Sequence, residues 1–208
     1  MNSEKKEKPK VELILETAGE IFAEQGFRKA TVRNICKRSG VNLAAINYYF
    51  GNKEKLYQAV LKYHRSIALQ KYPSDFGINE SDSSRKKLSS FIQAFILRLL
   101  EEGKPSLFGK LFAREFTEPT GAFDILIEES IKPTFNLLSS FIKEILGNNY
   151  SVKKVELCAM SIFGQCLYFR NAKPIVLRIL CKDGYSNENI KEISEHIINF
   201  SLKGLLNY

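Results

Sequence analysis

Histidine is scarce: the 208 residues contain two, His64 and His196, far apart in the chain. There is no HExxH run, no glycine-rich phosphate loop and no nucleophile with a base beside it. The usual constellations of hydrolytic, metal-dependent and phosphoryl-transfer enzymes are therefore missing, and the expectation is a protein that is not an enzyme and carries no cofactor or metal. Acid pairs such as Glu128-Glu129 are adjacent and point to different faces of a helix. The four cysteines (Cys36, Cys158, Cys166, Cys181) stand in apolar contexts, and none is close enough to another for a paired metal-ligand motif. They read as free, buried thiols of a reducing compartment. Cys158 and Cys166, eight apart, can share a helix face. No apolar run approaches the length needed to cross a bilayer, and MNSEKKEKPK at the start lacks the apolar middle of a signal peptide. The expectation is a cytoplasmic chain without a membrane partner. Alternation with period two, internal repeats and low-complexity tracts are also missing.

What is present is positive charge, unevenly placed. The formal net charge is +8, with 14 Lys/Arg against 7 Asp/Glu in residues 1–71 and 17 against 16 in residues 72–208. A basic balance alone means little more than a solvated surface. Gathered in one third of the chain, it has the character of a phosphate-neutralising footprint.

Within that third lies TVRNICKRSGVNLAAINYYFGNK, Thr31 to Lys53. Thr31 is a good N-cap, and Val32, Ile35 and Cys36 recur at helical spacing. Gly40 supplies the left-handed residue that ends the helix and turns the chain. Val41 fills the corner and Asn42 caps a second helix. In that helix only Ile46 and Phe50 share an anchoring face. Leu43, Ala44, Ala45, Asn47, Tyr48 and Tyr49 are left pointing largely elsewhere. A short helix with two anchors and small, amide and phenol side chains outward suits a DNA major groove.

Around this motif the apolar period is helical throughout, which makes the fold class all-α. A first helix spans Lys10 to Gln25, stopped by Gly26, behind a basic leader Met1–Pro9 expected to be frayed. A helix capped by Asn52 runs to about Lys71. The polar loop PSDFGINESDSS, Pro73 to Ser84, marks a domain boundary. Further helices are expected over Leu88–Leu100, Leu107–Phe116, Phe123–Leu146 (kinked or split by Pro133), Val152–Asn171, Pro174–Leu180 and Asn187–Leu206. The organisation is then a three-helix helix-turn-helix head over 1–52, a connecting helix over 53–72 and a helical ligand-binding and dimerisation domain over 73–208.

Phe22, Gly26, Phe27, Thr31, Val32, Ile35, Gly40, Val41, Ile46, Tyr49, Phe50, Lys53 and Leu56 stand at a spacing that resembles the tetracycline-repressor (TetR) family of bacterial transcription regulators. NLAAINYYFGNKEKLY, FAREFTEPTGAFD, GQCLYFRNAKP and EHIINFSLKGL resemble its CecR-type subgroup. The resemblance implies a sequence-specific regulator, a repressor released from a palindromic operator by a small-molecule effector. It places Thr31 and Arg33 against a phosphate, Asn42, Leu43, Ala44, Ala45, Asn47 and Tyr48 in the groove, and Tyr48, Tyr49 and Lys53 on the backbone. Lys53 at a helix start also gives a phosphate an ammonium beside free amides. Asn47 stands where the family commonly has tyrosine, so the operator sequence does not carry over.

The same resemblance implies a homodimer through the last two long helices, with the reading helices about 34–36 Å apart. Their wide apolar faces, ordinarily intramolecular core, become interface: Val155, Ala159, Ile162, Ile193, Ile197, Phe200, Ser201 and Gly204. An effector pocket inside the C-terminal domain is assigned to Phe112, Phe116, Gln165, Tyr168 and Phe169. The competing reading is a DNA-binding protein without an effector, architectural or controlled by a partner.

Overall fold

The computed structural model describes residues 4–147, 149–180 and 184–207, which are all-α, with no strand among them. The head is built from α1 (Glu4–Lys29), α2 (Val32–Ser39) and α3 (Leu43–Phe50), followed by α4 (Lys53–Lys71). Then come α5 (Ser84–Leu100), α6 (Lys104–Thr117), α7 (Phe123–Leu126), α8 (Lys132–Leu146), α9 (Val152–Asn171), α10 (Lys173–Ile179) and α11 (Asn187–Leu206).

Caps fix the starts of the short helices. The Thr31 and Asn42 side chains accept from the amides of Asn34 and Ala45, at 3.1 and 2.9 Å. Asn52 accepts from the Lys55 amide at 2.8 Å. Gly40 sits at φ 71°, ψ 13°, the left-handed geometry that turns α2 into α3. Gly26 breaks α1 with φ 76°, after which one more helical turn reaches Lys29. Helical structure also extends back through Pro9 to Glu4, where the sequence reading has a frayed leader. Proline's fixed φ is compatible with the helix, and close to its start it removes only one hydrogen bond. Pro133 acts as expected. It cannot donate to the turn before it, and Ile127–Ile131 widens into a π turn that joins α7 to α8.

Two apolar cores result. The first gathers Ile14, Phe22, Ile35 and Ile46 of the head with Leu56, Tyr57 and Val60 of α4, and also takes in Leu111 of α6. The second joins Leu88 and Ile92 of α5, Leu138 and Ile142 of α8, Ala159 and Ile162 of α9, and Ile190 and Ile197 of α11. α4 packs against both α1 and α6, and α6 also packs on α1, so α6 belongs to the head as much as to the domain that follows. Cys158 and Cys166 are buried free thiols and Cys36 is half-buried, while Cys181 lies outside the described residues.

Candidate nucleic-acid interface and ligand cavity

α3 has one buried anchor. Ile46 is 1% exposed, whereas Asn42, Leu43, Ala44 and Asn47 lie open and Tyr48 is 78% exposed. Ala45 and Tyr49 are half-buried, and Tyr49 stacks edge-on between Tyr48 and Phe50, at 5.1 and 6.3 Å. Phe50 is half-buried too, so it shares the anchoring with Ile46 without disappearing into the core. Thr31 and Arg33 are exposed at the start of α2. Capping uses the Thr31 hydroxyl and the Asn42 amide as acceptors, which leaves each with a donor for an anion. Arg38 is tied to Glu20 and Glu24 of α1 at 2.8 and 3.0 Å, which locks α2 onto α1.

Lys53 is engaged more deeply than its position at a helix start implies. Its ammonium donates to the carbonyls of Phe27 and Ala30 at 3.0 and 3.2 Å and lies 4.3 Å from the centre of the Phe27 ring. It therefore closes the C-terminal end of α1, with one proton left for a phosphate.

Behind the head a cavity of about 580 Å³ opens between α4, α5, α6, the π turn, α8 and α9. Phenylalanines are its commonest lining: Phe95, Phe108, Phe112, Phe116, Phe123, Phe135 and Phe163. Phe95 meets Phe163 edge-on at 5.1 Å, and Phe135 stacks on Phe163 at 6.2 Å. Of the expected effector residues, Phe112 and Phe116 line this space and the other three do not. Gln165 bonds back to the Ser161 carbonyl at 3.4 Å, Tyr168 is exposed, and Phe169 packs against the second core. The cause is the turn of α9: Met160, Phe163 and Leu167 face the cavity, so 165, 168 and 169 fall on other sides.

Two arginines that sequence reasoning did not single out also line the cavity, Arg65 of α4 and Arg98 of α5. Arg98 is only 8% exposed; it donates to the Tyr72 carbonyl and lies 5.5 Å from the centre of the Phe95 ring. Burial, with the like charge of Arg65 second, pulls its guanidinium down to about 10. Its place in LRLL, an apolar stretch, is the one signal the sequence offered.

The α6 helix has two working faces. Phe108, Phe112 and Phe116, four apart, face the cavity. Leu111 enters the head core, and Arg114 donates to the carbonyls of Ala23 and Glu24 at 3.2 and 2.7 Å. Glu115 is fully buried and accepts from the Tyr57 hydroxyl at 2.8 Å and the Thr120 amide at 3.1 Å.

The expected dimer residues need correction. Val155, Ala159, Ile162, Ile193 and Ile197 lie in the chain's own second core, and Ser201 is buried with them. They cover α5 and α8 and are not available to a partner. Phe200 and Gly204 remain outside. The surfaces left open on these helices are Leu157, Met160, Gly164 and Tyr168 on α9, and His196, Phe200 and Gly204 on α11. The sequence hid this because both faces of each helix carry apolar residues.

A helix-turn-helix head with an open reading helix, joined through shared helices to an all-α domain with an apolar cavity, defines a one-component transcriptional regulator. Residues 14–60 match the bacterial regulatory proteins of the tetR family, and residues 84–205 match the C-terminal domain of the HTH-type transcriptional dual regulator CecR. The chain belongs to the tetR family, with a C-terminal domain of the CecR type. It is 27% identical over 212 residues to the transcriptional dual regulator CecR of Shigella flexneri, covering 97% of this chain and 94% of that protein. In fold it is similar to FadR of Bacillus subtilis, solved with stearoyl-CoA, at a TM-score of 0.70 and 20% identity over 92% of this chain and 97% of that one. AibR, solved with isovaleryl coenzyme A and operator DNA, is similar at a TM-score of 0.70 and 16% identity, with the same coverage.

Proposed function

We propose that this regulator binds a palindromic operator as a homodimer, inserting α3 into successive major grooves, and is released when a small molecule fills the cavity. The observation that carries the reading is the exposed row Asn42, Leu43, Ala44, Asn47 and Tyr48 on a helix pinned by Ile46. Asn47 has the amide geometry to pair with an adenine edge, and Ala44 and Ala45 admit thymine methyls. Arg33, Thr31, Tyr48 and the remaining Lys53 proton serve phosphates. The open stripes of α9 and α11 meet their copies in a four-helix bundle, where Gly164 and Gly204 permit close approach. Such a protein works in the bacterial cytoplasm, beside the chromosome, and needs no catalytic group.

Release follows from the shared helices. A ligand against Phe108, Phe112 and Phe116 displaces α6, and α6 holds α1 through Arg114 and α4 through Glu115. Any ligand that fits one head spacing better than another shifts the population by that difference. Both CoA thioesters found in the similar structures combine an apolar body with a polar head, and the cavity here has the volume of a drug-sized ligand. Selection of bound fragments from random duplexes tests the DNA half: a two-fold symmetric consensus with half-sites one turn apart is expected. Enrichment of no motif, or of an asymmetric one, overturns it.

A further inference from the structure

The cavity wall is mainly apolar, with Ser74, Ser130, Thr134 and Lys132 as its scattered polar members and one concentrated patch of charge. Arg98 and Arg65 meet there from two different helices, and among the described residues no acidic side chain lines the cavity. Arg98 is nine-tenths buried with a backbone carbonyl as its bonded partner, and the charge it feels most closely is the like charge of Arg65. Lys132, the other cation of the wall, is at the surface and already paired with Glu128. A buried guanidinium that shares a cavity with a second one, with no carboxylate in the described lining, is costly unless an anion arrives.

We infer that the cavity takes an amphipathic oxyanion, with its apolar body among Phe108, Phe112, Phe135 and Phe163 and its carboxylate or phosphate head between Arg98 and Arg65. This rests on the reading of the cavity as the effector site and adds the chemistry of the effector. A carboxylate or phosphate satisfies the planar fork of Arg98 and cancels its repulsion from Arg65. A neutral molecule of equal size removes water from Arg98 and returns nothing. A cation adds a third positive charge. The head group also bridges α4 to α5, so its charge acts directly on the helix that enters the head core at Leu56, Tyr57 and Val60.

The test is calorimetric titration of the full chain with dodecanoate, dodecyl phosphate, methyl dodecanoate and dodecyltrimethylammonium, each below its micellar range. At least one of the two anions is expected to bind to saturation, with the ester at least about tenfold weaker and the ammonium silent. Which anion binds tells carboxylate from phosphate. Arg65→Gln is expected to weaken the anion about tenfold and leave the ester unchanged. Arg98→Lys, which keeps the charge and loses the fork, gives a partial loss and covers the case in which Arg98→Gln fails to fold. An ester that binds as tightly as the acid, or an Arg65→Gln protein with unaltered anion affinity, overturns the inference. A gel shift on the selected operator runs in parallel. Intact DNA binding without anion binding sinks this inference alone, and anion binding without DNA retention upholds it while sinking the regulator reading.

Discussion

The Tyr57 hydroxyl donates to Glu115 at 2.8 Å, a contact across 58 residues of sequence that joins α4 to α6 beneath the head. Burial first, and the carboxylate beside it second, hold the phenol protonated far above its ordinary range, so it stays a donor. Tyr57→Phe leaves Glu115 buried with only Thr120 to satisfy it. A loss of about 1–3 kcal/mol in urea unfolding is expected. The same variant is expected to show a weaker coupling between ligand and operator, read as a smaller ligand-induced change in DNA affinity. Full stability with unchanged coupling would remove Tyr57 from the transmission path.

Gly19 of α1 lies directly under the His64 imidazole of α4; a β-carbon there would stand 2.2 Å from Nε2. Gly19→Ala forces the two helices apart. A cost of about 1–3 kcal/mol is expected, which for a chain of this size lowers Tm by roughly 2–4 °C per kcal/mol. Thermal unfolding with no shift would mean that His64 can swing away freely.

Salt titration separates the cations of the head. Arg33→Ala is expected to weaken binding to all sequences and to lower the salt slope by about one unit per protomer. Lys53→Ala is expected to lower stability as well, because its ammonium closes α1 against the Phe27 and Ala30 carbonyls. Asn47→Ala is expected to change which operator is preferred, seen on a panel of operator mutants. A uniform loss across that panel assigns Asn47 to the backbone instead.

Burial pushes the Cys166 thiol up to about 12. At pH 8 it carries almost no thiolate, so alkylation of the native chain is expected at half-buried Cys36 and not at Cys166 until the protein unfolds. The unfolded thiol ionises first as pH rises. This group's contribution to stability is therefore intact below about 9 and lost progressively toward 12. Rapid labelling of Cys166 in the native state would contradict its placement.

Phe200, exposed to 63% on α11, sits on the stripe proposed for self-association. Phe200→Glu is expected to yield monomers in sedimentation with the helical content unchanged. Continued dimerisation would move the interface to another face.

The helices themselves were legible in the sequence, and so was the open face of α3. Thr31, Gly40, Asn42 and Asn52 are local signals, and each acts within three or four residues of itself. What α9 does is not local. Val155, Ala159 and Ile162 form one apolar row, and Leu157, Met160 and Tyr168 another. Only the arrival of α5 and α8 decides which row becomes core. The arginines of the cavity were invisible for the same reason, since Arg65 and Arg98 are 33 positions apart and meaningful only as a pair.

Because α6 carries the cavity phenylalanines on one side and the grip on α1 and α4 on the other, neither side is free to drift alone. Specificity can instead vary most freely on the walls supplied by α5, α8 and α9, which do not hold α1 as α6 does. Such a division separates what the pocket holds from how its occupancy reaches the head.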